Sequence, residues 1–268
     1  CSPSSCRCFH GRTLTTVTAT GQDTFHKFFG PFTPGFRYVP ASDLAALERQ
    51  PDAEDCSAVL VEIVQGEGGV RALDADYLKA VEALCHEKNV LFCGDEVQTG
   101  NGRTGTWFAY EQFGLSPDLV STAKGLGNGL PIGATLMGSK TTEVLTPGTH
   151  GSTFGGNPVA CAGALSVLEQ IDDAFLEAVK QKGAWLTAEL EKIPGVKDVS
   201  GLGLMLGFSV EGCKSADIKA KALDNGLVVL TAKDRVRLLP PLAITEEELS
   251  DGLLRLAAAI REVQEAAH

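Results

Sequence analysis

The sequence lacks the features that mark several classes of protein. Its longest apolar stretches, such as Ala58–Val64, are interrupted by charge and are far too short to span a bilayer. Its 23 Lys and Arg residues form no basic run against 34 Asp and Glu residues, and the formal net charge is −11. Neither a membrane nor a nucleic acid is therefore an expected partner. The apolar share of 44% and the charged share of 21% are ordinary for a soluble globular protein.

Eight cysteines are present, but they include no pair of CxxC units, so a structural zinc site is not expected and no metal is predicted. Cys1, Cys6 and Cys8 crowd the N-terminus, whereas the other cysteines are scattered, mostly in apolar surroundings. Free buried thiols are typical of proteins from a reducing compartment. The cysteine pattern therefore favours a cytoplasmic protein.

Short apolar runs alternate with amphipathic stretches up to about Asp172. Ala58–Ile63, Val90–Cys93 and Asp118–Ser121 are predicted to be buried strands. The segment 74–88 is predicted to be a helix with an acidic start and a basic end, and the segment 157–171 a helix with an asparagine cap. This strand–helix–strand order predicts an α/β fold with a mainly parallel sheet, which we assign to a large domain at residues 1–173.

The character of the sequence changes after this point. A long polar helix is followed by shorter elements and by a final helix that starts at a capping box of Thr245 and Glu248. The predicted elements are a helix at Ala174–Ile193, a strand at Leu204–Val210, a helix at Ala216–Asp224, strands at Leu227–Leu230 and Val236–Leu238, and a helix from Thr245. We expect a smaller α+β domain at residues 174–268.

Polar residues follow two predicted strands of the large domain. Asp95 comes directly after one strand, and Lys124 follows the next strand and precedes a glycine-rich turn. Ligands of open α/β sheets bind at the carboxyl ends of the strands, so the two residues share one edge if these strands are neighbours. A lysine can form a Schiff base with an aldehyde cofactor, and a carboxylate can keep the pyridine nitrogen of pyridoxal phosphate protonated. The pair therefore indicates chemistry of that kind.

Six stretches occur in the order that they have in the class III aminotransferases. They are FHGRT (9–13), VQGEGG (64–69), DEVQTGNGRTG (95–105), STAKGLGNGLPIGA (121–134), HGSTFGGNP (150–158) and RLLPPL (237–242). The chain resembles this family from Phe9 nearly to its end, and within the family it is most similar to the acetylornithine and ornithine aminotransferases. The resemblance implies the fold of pyridoxal-phosphate-dependent transferases of the aspartate aminotransferase type (fold type I) and pyridoxal 5'-phosphate as the cofactor.

The resemblance also implies a set of cofactor contacts. Lys124 would be the Schiff-base lysine and later the proton shuttle, and Asp95 would pair with the pyridinium nitrogen. Val97 and Phe9 would lie on the two faces of the ring, and Gln98 near its phenolic oxygen. These residues form the core of the expected cofactor site.

Three further residues near this site have less direct roles. Thr153 resembles the residue that binds the cofactor phosphate across a dimer interface, so a homodimer is expected. Glu96 belongs to the cofactor-binding segment, but neighbouring strand residues point to opposite faces, so we expect it to hold the loop through Arg103. His10 is expected to be a structural or supporting residue rather than a base.

Four residues match substrate contacts of the family. Arg12 and Arg237 resemble arginines that bind substrate carboxylates, and Ser152 matches another substrate contact. Glu67 resembles the acid that pairs with Arg237. Glutamate carries two carboxylates, and arginine forms bidentate bonds with each. Glu67 would neutralise Arg237 while an amine donor of different charge is bound, so that one pocket serves both substrates.

The sequence departs from the family in two places. Ser200 stands where the family usually has arginine, so a charge contact there is lost or supplied elsewhere. The long family segment before FHGRT, with a Gly-Thr helix start for the cofactor phosphate, is not seen, and residues 1–8 do not resemble the apolar strand expected before Phe9. We therefore expect an N-terminally truncated chain that binds pyridoxal phosphate weakly and turns over poorly.

The expected activity is amino transfer between N-acetylornithine (or ornithine) and 2-oxoglutarate, the product of which is glutamate, in arginine biosynthesis. One alternative is another ω-aminotransferase with 4-aminobutyrate, succinylornithine or a lysine-type donor. A second alternative, from a different class, is an inactive truncated remnant. The expected partners are small amino-acid and 2-oxo-acid substrates and a second copy of the chain.

Overall fold

The computed structural model describes residues 2–5, 7–50 and 55–266, and for residues 2–5 it describes the backbone alone. The helices are α1 Leu14–Ala19, α2 Asp23–His26, α3 Leu44–Glu48, α4 Ala75–Glu87, α5 Pro158–Leu168, α6 Asp173–Leu190, α7 Ser215–Asp224 and α8 Glu246–Ala266, with short 3-10 helices at Ala109–Phe113 and Lys124–Gly127. The strands are β1 Ser2–Ser5, β2 Phe36–Val39, β3 Ala58–Val61, β4 Val64–Gln65, β5 Arg71–Ala72, β6 Leu91–Asp95, β7 Leu119–Thr122, β8 Ala134–Met137, β9 Val196–Leu202, β10 Met205–Val210, β11 Leu230–Ala232 and β12 Arg235–Leu238.

The chain divides into two compact units, each made of more than one segment. The first unit comprises Cys1–Gln65, Leu73–Asn101 and Thr106–Asp172. The second comprises Gly66–Ala72, Gly102–Gly105 and Asp173–His268. The division into independent domains at 1–173 and 174–268 stays a prediction, and it leaves out two short segments that pack with the second unit.

A six-stranded sheet forms the centre of the first unit, in the order β2-β1-β3-β6-β7-β8. All neighbouring strands are parallel except β7 and β8, which are antiparallel. The prediction of an α/β fold with a mainly parallel sheet is therefore confirmed. The apolar side chains of β3 and β6 pack with those of α4 in one core, which contains Val59, Phe92 and Leu78.

Helix α4 forms where the sequence predicts it. Asp74 caps its first turn by accepting hydrogen bonds from the backbone N–H groups of Asp76 and Tyr77. Leu78, Val81 and Cys85 recur at helical spacing and are buried. The cap and the apolar stripe together fix both the start of the helix and the face that it turns to the sheet.

The first unit differs from expectation at its N-terminus. Residues 2–5 were not expected to form a strand, because they are mostly serine, yet β1 pairs in parallel with β2 and meets β3 at Ser4 and Leu60. A sheet ladder uses backbone groups, so a polar segment can form a strand between two others. Cys1 and Cys6 lie outside the described residues. The other six cysteines are free; Cys161 and Cys213 are partly exposed and the rest are buried.

The second unit has a four-stranded antiparallel sheet, in the order β11-β12-β10-β9. Its apolar face packs with α6, α7 and α8 around a core that includes Phe208, Ile218 and Leu256. The capping box is confirmed, because Thr245 Oγ1 accepts from the Glu248 N–H at 3.2 Å while Glu248 accepts from the Thr245 N–H at 2.9 Å. The strand predicted at residues 227–230 instead begins at Leu230, and of the apolar residues before it Val229 is buried whereas Val228 is exposed.

Candidate functional site

Two strands of the first unit end side by side. β6 and β7 are parallel neighbours, and Asp95 lies opposite Ser121 in their register. Asp95 is the last residue of β6, and Lys124 follows the end of β7 by two residues. The expectation that both residues lie at one edge of the sheet depended on this pairing, and the pairing is present.

Three groups hold the carboxylate of Asp95, which is 7% exposed. Oδ1 accepts from the backbone N–H of Val97 at 3.0 Å and from the hydroxyl of Ser121 at 3.2 Å. Oδ2 lies 2.6 Å from Nδ1 of His10. One bond from its own loop, one from the neighbouring strand and one from a distant segment fix the orientation of this carboxylate.

His10 is the strongest of these partners. Its side chain is 2% exposed, and its backbone N–H donates to the Thr20 hydroxyl at 2.9 Å. Burial lowers the pKa of its imidazole, but the hydrogen bond to Asp95 and the neighbouring Cys8 and Glu62 raise it, and the net pKa is about 10. His10 therefore carries a proton at neutral pH and presents a positive charge to Asp95, which fits the supporting role expected for it.

The backbone around Lys124 is fixed by a residue that the sequence did not single out. Asn101 donates from Nδ2 to the Thr122 hydroxyl at 2.8 Å and to the Ala123 carbonyl at 3.2 Å. Lys124 itself has a left-handed backbone with φ +46° and an exposed side chain, an uncommon conformation for a residue other than glycine. A signal was present, since Asn101 lies inside the long motif that also contains Asp95.

Phe9 and Arg12 belong to one cluster. The Phe9 N–H donates to Oε1 of the buried Glu62 at 2.6 Å, and the Phe9 ring meets Phe25 edge-on at 5.2 Å. The guanidinium of Arg12 lies 4.3 Å from the centre of the Phe25 ring and 5.4 Å from that of Phe9. Arg12 is exposed, so its charge is supported by aromatic faces and stays accessible.

Glu96 is fully buried, and its carboxylate has other partners than that of Asp95. Its carboxylate accepts hydrogen bonds from the Thr99 hydroxyl and from the backbone N–H groups of Ala109 and Tyr110. Burial raises its pKa, and these bonds oppose that shift. The expected loop-holding role fits this geometry. The described partners of Glu96 do not include Arg103, because Nη1 of Arg103 donates to the carbonyls of Leu204 and Pro240.

Among the remaining predicted contacts of the first unit, only the backbone of Val97 has a described bond to Asp95. Val97 and Gln98 follow Asp95 in the loop and are half-buried. Ser152 and Thr153 lie in an exposed loop ahead of α5, which Asn157 caps by accepting from the Ala160 N–H at 2.9 Å. Their assigned contacts to a ring, a phosphate or a substrate remain predictions.

Arg237 and Glu67 meet in the second unit. Nη1 of Arg237 lies 2.7 Å from Oε1 of Glu67, and the two side chains are 9% and 29% exposed. The residues are far apart in sequence, so the pairing could be expected only from the resemblance. The carboxylate of Glu67 is the more accessible member of the pair.

Metal-ligand clusters and membrane-spanning helices are both missing from the described part of the chain. It contains no group of three or more His, Cys, Asp or Glu side chains arranged to hold a metal ion. None of its helices is long and apolar enough to cross a membrane.

Comparison with known proteins gives a consistent result. Residues 4–260 match the family model for class-III aminotransferases. An acetylornithine aminotransferase of Haemophilus ducreyi is 50% identical over 256 residues, which cover 95% of this chain and 65% of that protein. One of Bacillus subtilis is 47% identical over 257 residues, which cover 94% and 66%.

A solved structure agrees with these sequence matches. The ornithine aminotransferase of Toxoplasma gondii is similar with a TM-score of 0.90 and 36% identity, over 99% of this chain and 65% of that one. The predicted transferase fold is thereby confirmed. The chain spans about 65% of the length of the relatives that it matches.

Proposed function

This chain belongs to the class-III aminotransferase family, and we propose that it transfers an amino group between N-acetylornithine (or ornithine) and 2-oxoglutarate, with pyridoxal 5'-phosphate as cofactor. The observation that carries the proposal is the adjacency of the two strand ends that bear Asp95 and Lys124. The acetylornithine aminotransferase of H. ducreyi, at 50% identity, supports this choice of donor.

The residues at the strand ends fit the cofactor. Asp95 is a buried carboxylate whose Oδ1 and Oδ2 are both held in place, as a partner for a protonated ring nitrogen requires. Pyridoxal phosphate, when bound, would supply a ring that takes up the electron pair released at the substrate carbon that carries the transferred amino group. Lys124 supplies the amine that holds the cofactor and moves the proton at that carbon. Val97, Phe9, Gln98 and Thr153 are the further proposed contacts of the cofactor, and Glu96 holds the loop that carries Asp95 and Val97.

Charge distinguishes the two proposed substrates. Arg12 and Arg237 bind the carboxylates of glutamate, and Ser152 adds a polar contact. The 2.7 Å pair of Arg237 and Glu67 neutralises the arginine when the amine donor is bound. Glutamate displaces Glu67 from Arg237, and the donor does not.

The proposal includes a homodimer in the cytoplasm. Thr153 is assigned to the cofactor of the second copy. Large apolar side chains are exposed close to it in the chain, with Phe154 83%, Val159 69% and Leu165 59% accessible. Exposed apolar side chains of this size support a second copy as the partner.

A donor panel tests the proposed activity. The purified protein, supplied with pyridoxal phosphate and 2-oxoglutarate, is assayed for glutamate with N-acetylornithine, ornithine, 4-aminobutyrate and succinylornithine. We expect the highest kcat/KM with N-acetylornithine. A higher value with another ω-amine would move the assignment to that donor, and no conversion of bound cofactor to its amino form by glutamate would reject transamination.

A matched pair of lysine variants tests the assignment of Lys124. Lys124→Ala removes the proposed cofactor-holding amine, whereas Lys79→Ala removes an exposed lysine of α4. We expect the first variant to lose transamination and the second to retain it. Equal activities in the two variants would remove Lys124 from the mechanism.

A further inference from the structure

The two faces of the antiparallel sheet in the second unit differ in chemistry. Leu206, Phe208 and Val236 point into the apolar core. Gly207 lies opposite Arg237 on one neighbouring strand and opposite Ser200 on the other, so these residues share the other face. Strand alternation places Arg235 on this same face as Arg237. The segment 66–72, which contains Glu67, covers it.

Glycine allows the segment to lie directly on the sheet. A Cβ at Gly207 would lie 2.8 Å from Cβ of Val70 and 3.0 Å from the carbonyl oxygen of Gly69. A Cβ at Gly69, where φ is +113°, would lie 3.1 Å from Cδ of Arg235. The backbone at residues 69–70 is therefore in close contact with both the sheet and the stem of Arg235, and little room for another arrangement exists.

Arg235 reaches across the sheet to this segment through a serine. Its Nη2 donates to the Ser200 hydroxyl at 2.8 Å, to the Gly207 carbonyl at 2.6 Å and to the Asp198 carbonyl. The Ser200 hydroxyl donates in turn to the Val70 carbonyl at 2.6 Å. Ser200 thus has no charge of its own, and the cationic group beside it is the guanidinium of Arg235 from β12.

Burying the charge of Arg235 costs free energy. This residue is 1% exposed, and its hydrogen-bond acceptors are two carbonyls and a hydroxyl, with no carboxylate among those described. Burial and the nearby Arg71 lower its pKa, against the charges of Asp198 and Asp234. Apolar side chains would fill such a site at lower cost, so a buried charge held by neutral groups points to a role beyond packing.

We propose that Arg235 is a positioning residue, which fixes the backbone of residues 69–70 through Ser200 and through its own stem and thereby holds Glu67 against Arg237. The proposal rests on the proposed function, in which the Glu67–Arg237 pair distinguishes the amine donor from glutamate. With a loosened segment, Glu67 spends less time on Arg237. The arginine is then less neutralised when the donor binds, whereas glutamate displaces Glu67 in either case.

Four variants test this assignment. Arg235→Met keeps the stem and removes the guanidinium, and Ser200→Ala removes the hydroxyl relay with little change in volume. Arg235→Lys keeps the charge. Arg255→Met is the matched control, because Arg255 lies on the exposed side of α8 and pairs with Asp251. Ser200→Ala keeps the test decisive if Arg235→Met does not fold.

Hydrogen exchange gives a readout that needs no catalysis. In Arg235→Met and Ser200→Ala, amide exchange in segment 66–72 should accelerate about tenfold or more, while α8 exchanges as before. Arg235→Lys should restore part of the protection, and Arg255→Met should leave it unchanged. Unchanged exchange in segment 66–72 of Ser200→Ala overturns the proposal, whether or not the protein proves to be an aminotransferase.

Half-reaction kinetics test the consequence for substrates. We expect kcat/KM for the amine donor to fall about tenfold in Arg235→Met, mainly through KM, with less than about a twofold change for glutamate. A similar loss in both half-reactions would show a merely structural residue and overturn the proposal. Absence of both half-reactions in the unmodified protein would instead reject the proposed function, and the exchange data would still decide the role of Arg235.

Discussion

Asp95 and His10 form a buried ion pair at the end of β6. Their side chains are 8% and 2% exposed and approach to 2.6 Å. Because the pKa of His10 is about 10 and that of the free side chain is 6.5, folding binds its proton more tightly. By linkage, the pair contributes fully to stability below about pH 6.5, and this contribution is lost as the pH rises through 10.

Replacing His10 should therefore remove this pH dependence from the free energy of unfolding. The difference in free energy of unfolding between the unmodified protein and His10→Gln should shrink between pH 6.5 and 10, by up to about 1.4 kcal/mol per pH unit for this one proton. Urea unfolding at several pH values measures the difference. His86→Gln, an exposed histidine of α4, is the control and should show no such trend. A pH-independent difference for His10→Gln would contradict a raised pKa.

Single site residues were predictable from sequence where they lie next to a predicted strand. Asp95 ends an apolar strand and Lys124 follows one, so the order of residues along the chain was enough to single them out. The partners of these residues were not predictable in the same way. The contact of His10 with Asp95 joins residues 85 positions apart, and only the sheet order brings them together.

Among the elements, long helices with caps were predictable, and short or edge elements were not. α4, α5 and α8 each have a polar cap and a sufficient length for the helical period to show. α1, α2 and α3 have six, four and five residues, too few for a period. The antiparallel strand β8 is largely exposed, so it lacks the apolar run that identified its neighbours.

The cap of α4 offers a test at this scale. Asp74→Ala removes the acceptor for two backbone N–H groups and should lower the free energy of unfolding by about 1 kcal/mol. Asp74→Asn keeps the acceptor and removes the charge, so it should stay within about 0.5 kcal/mol of the unmodified protein. Chemical denaturation measures both. Equal losses in the two variants would assign the effect to charge and not to capping.

At the scale of the molecule, the chain interleaves its two compact units. Two short segments from the first part of the sequence pack with the C-terminal residues. Arg103 binds the Leu204 and Pro240 carbonyls, and its own carbonyl accepts from the Leu204 N–H at 3.1 Å. A change in composition along the sequence predicts a boundary near Asp172, but such a change cannot reveal short segments that pack with the other unit.

A fragment of residues 174–268 should therefore be incomplete. Without residues 66–72 and 102–105 it loses the Glu67 partner of Arg237, the Val70 acceptor of Ser200 and the bonds of Arg103. The pair is partly accessible, so its loss alone costs less than the roughly 3–5 kcal/mol of a fully buried pair. The lost hydrogen bonds of both segments add to this cost, and we expect the free energy of unfolding of the fragment to be lower by roughly 3 kcal/mol in all.

Tryptophan fluorescence isolates this comparison. The chain has two tryptophans, Trp107 in the first unit and Trp185 in α6, so Trp185 alone reports on the second unit in a Trp107→Phe variant of the 268-residue chain. Urea unfolding of that protein and of the fragment then follows the same probe in both. Arg237→Met in the fragment should recover part of the loss, since it removes the unpaired charge. An identical unfolding midpoint in fragment and full chain would establish 174–268 as an independent domain, and the two inserted segments would then contribute nothing to its stability.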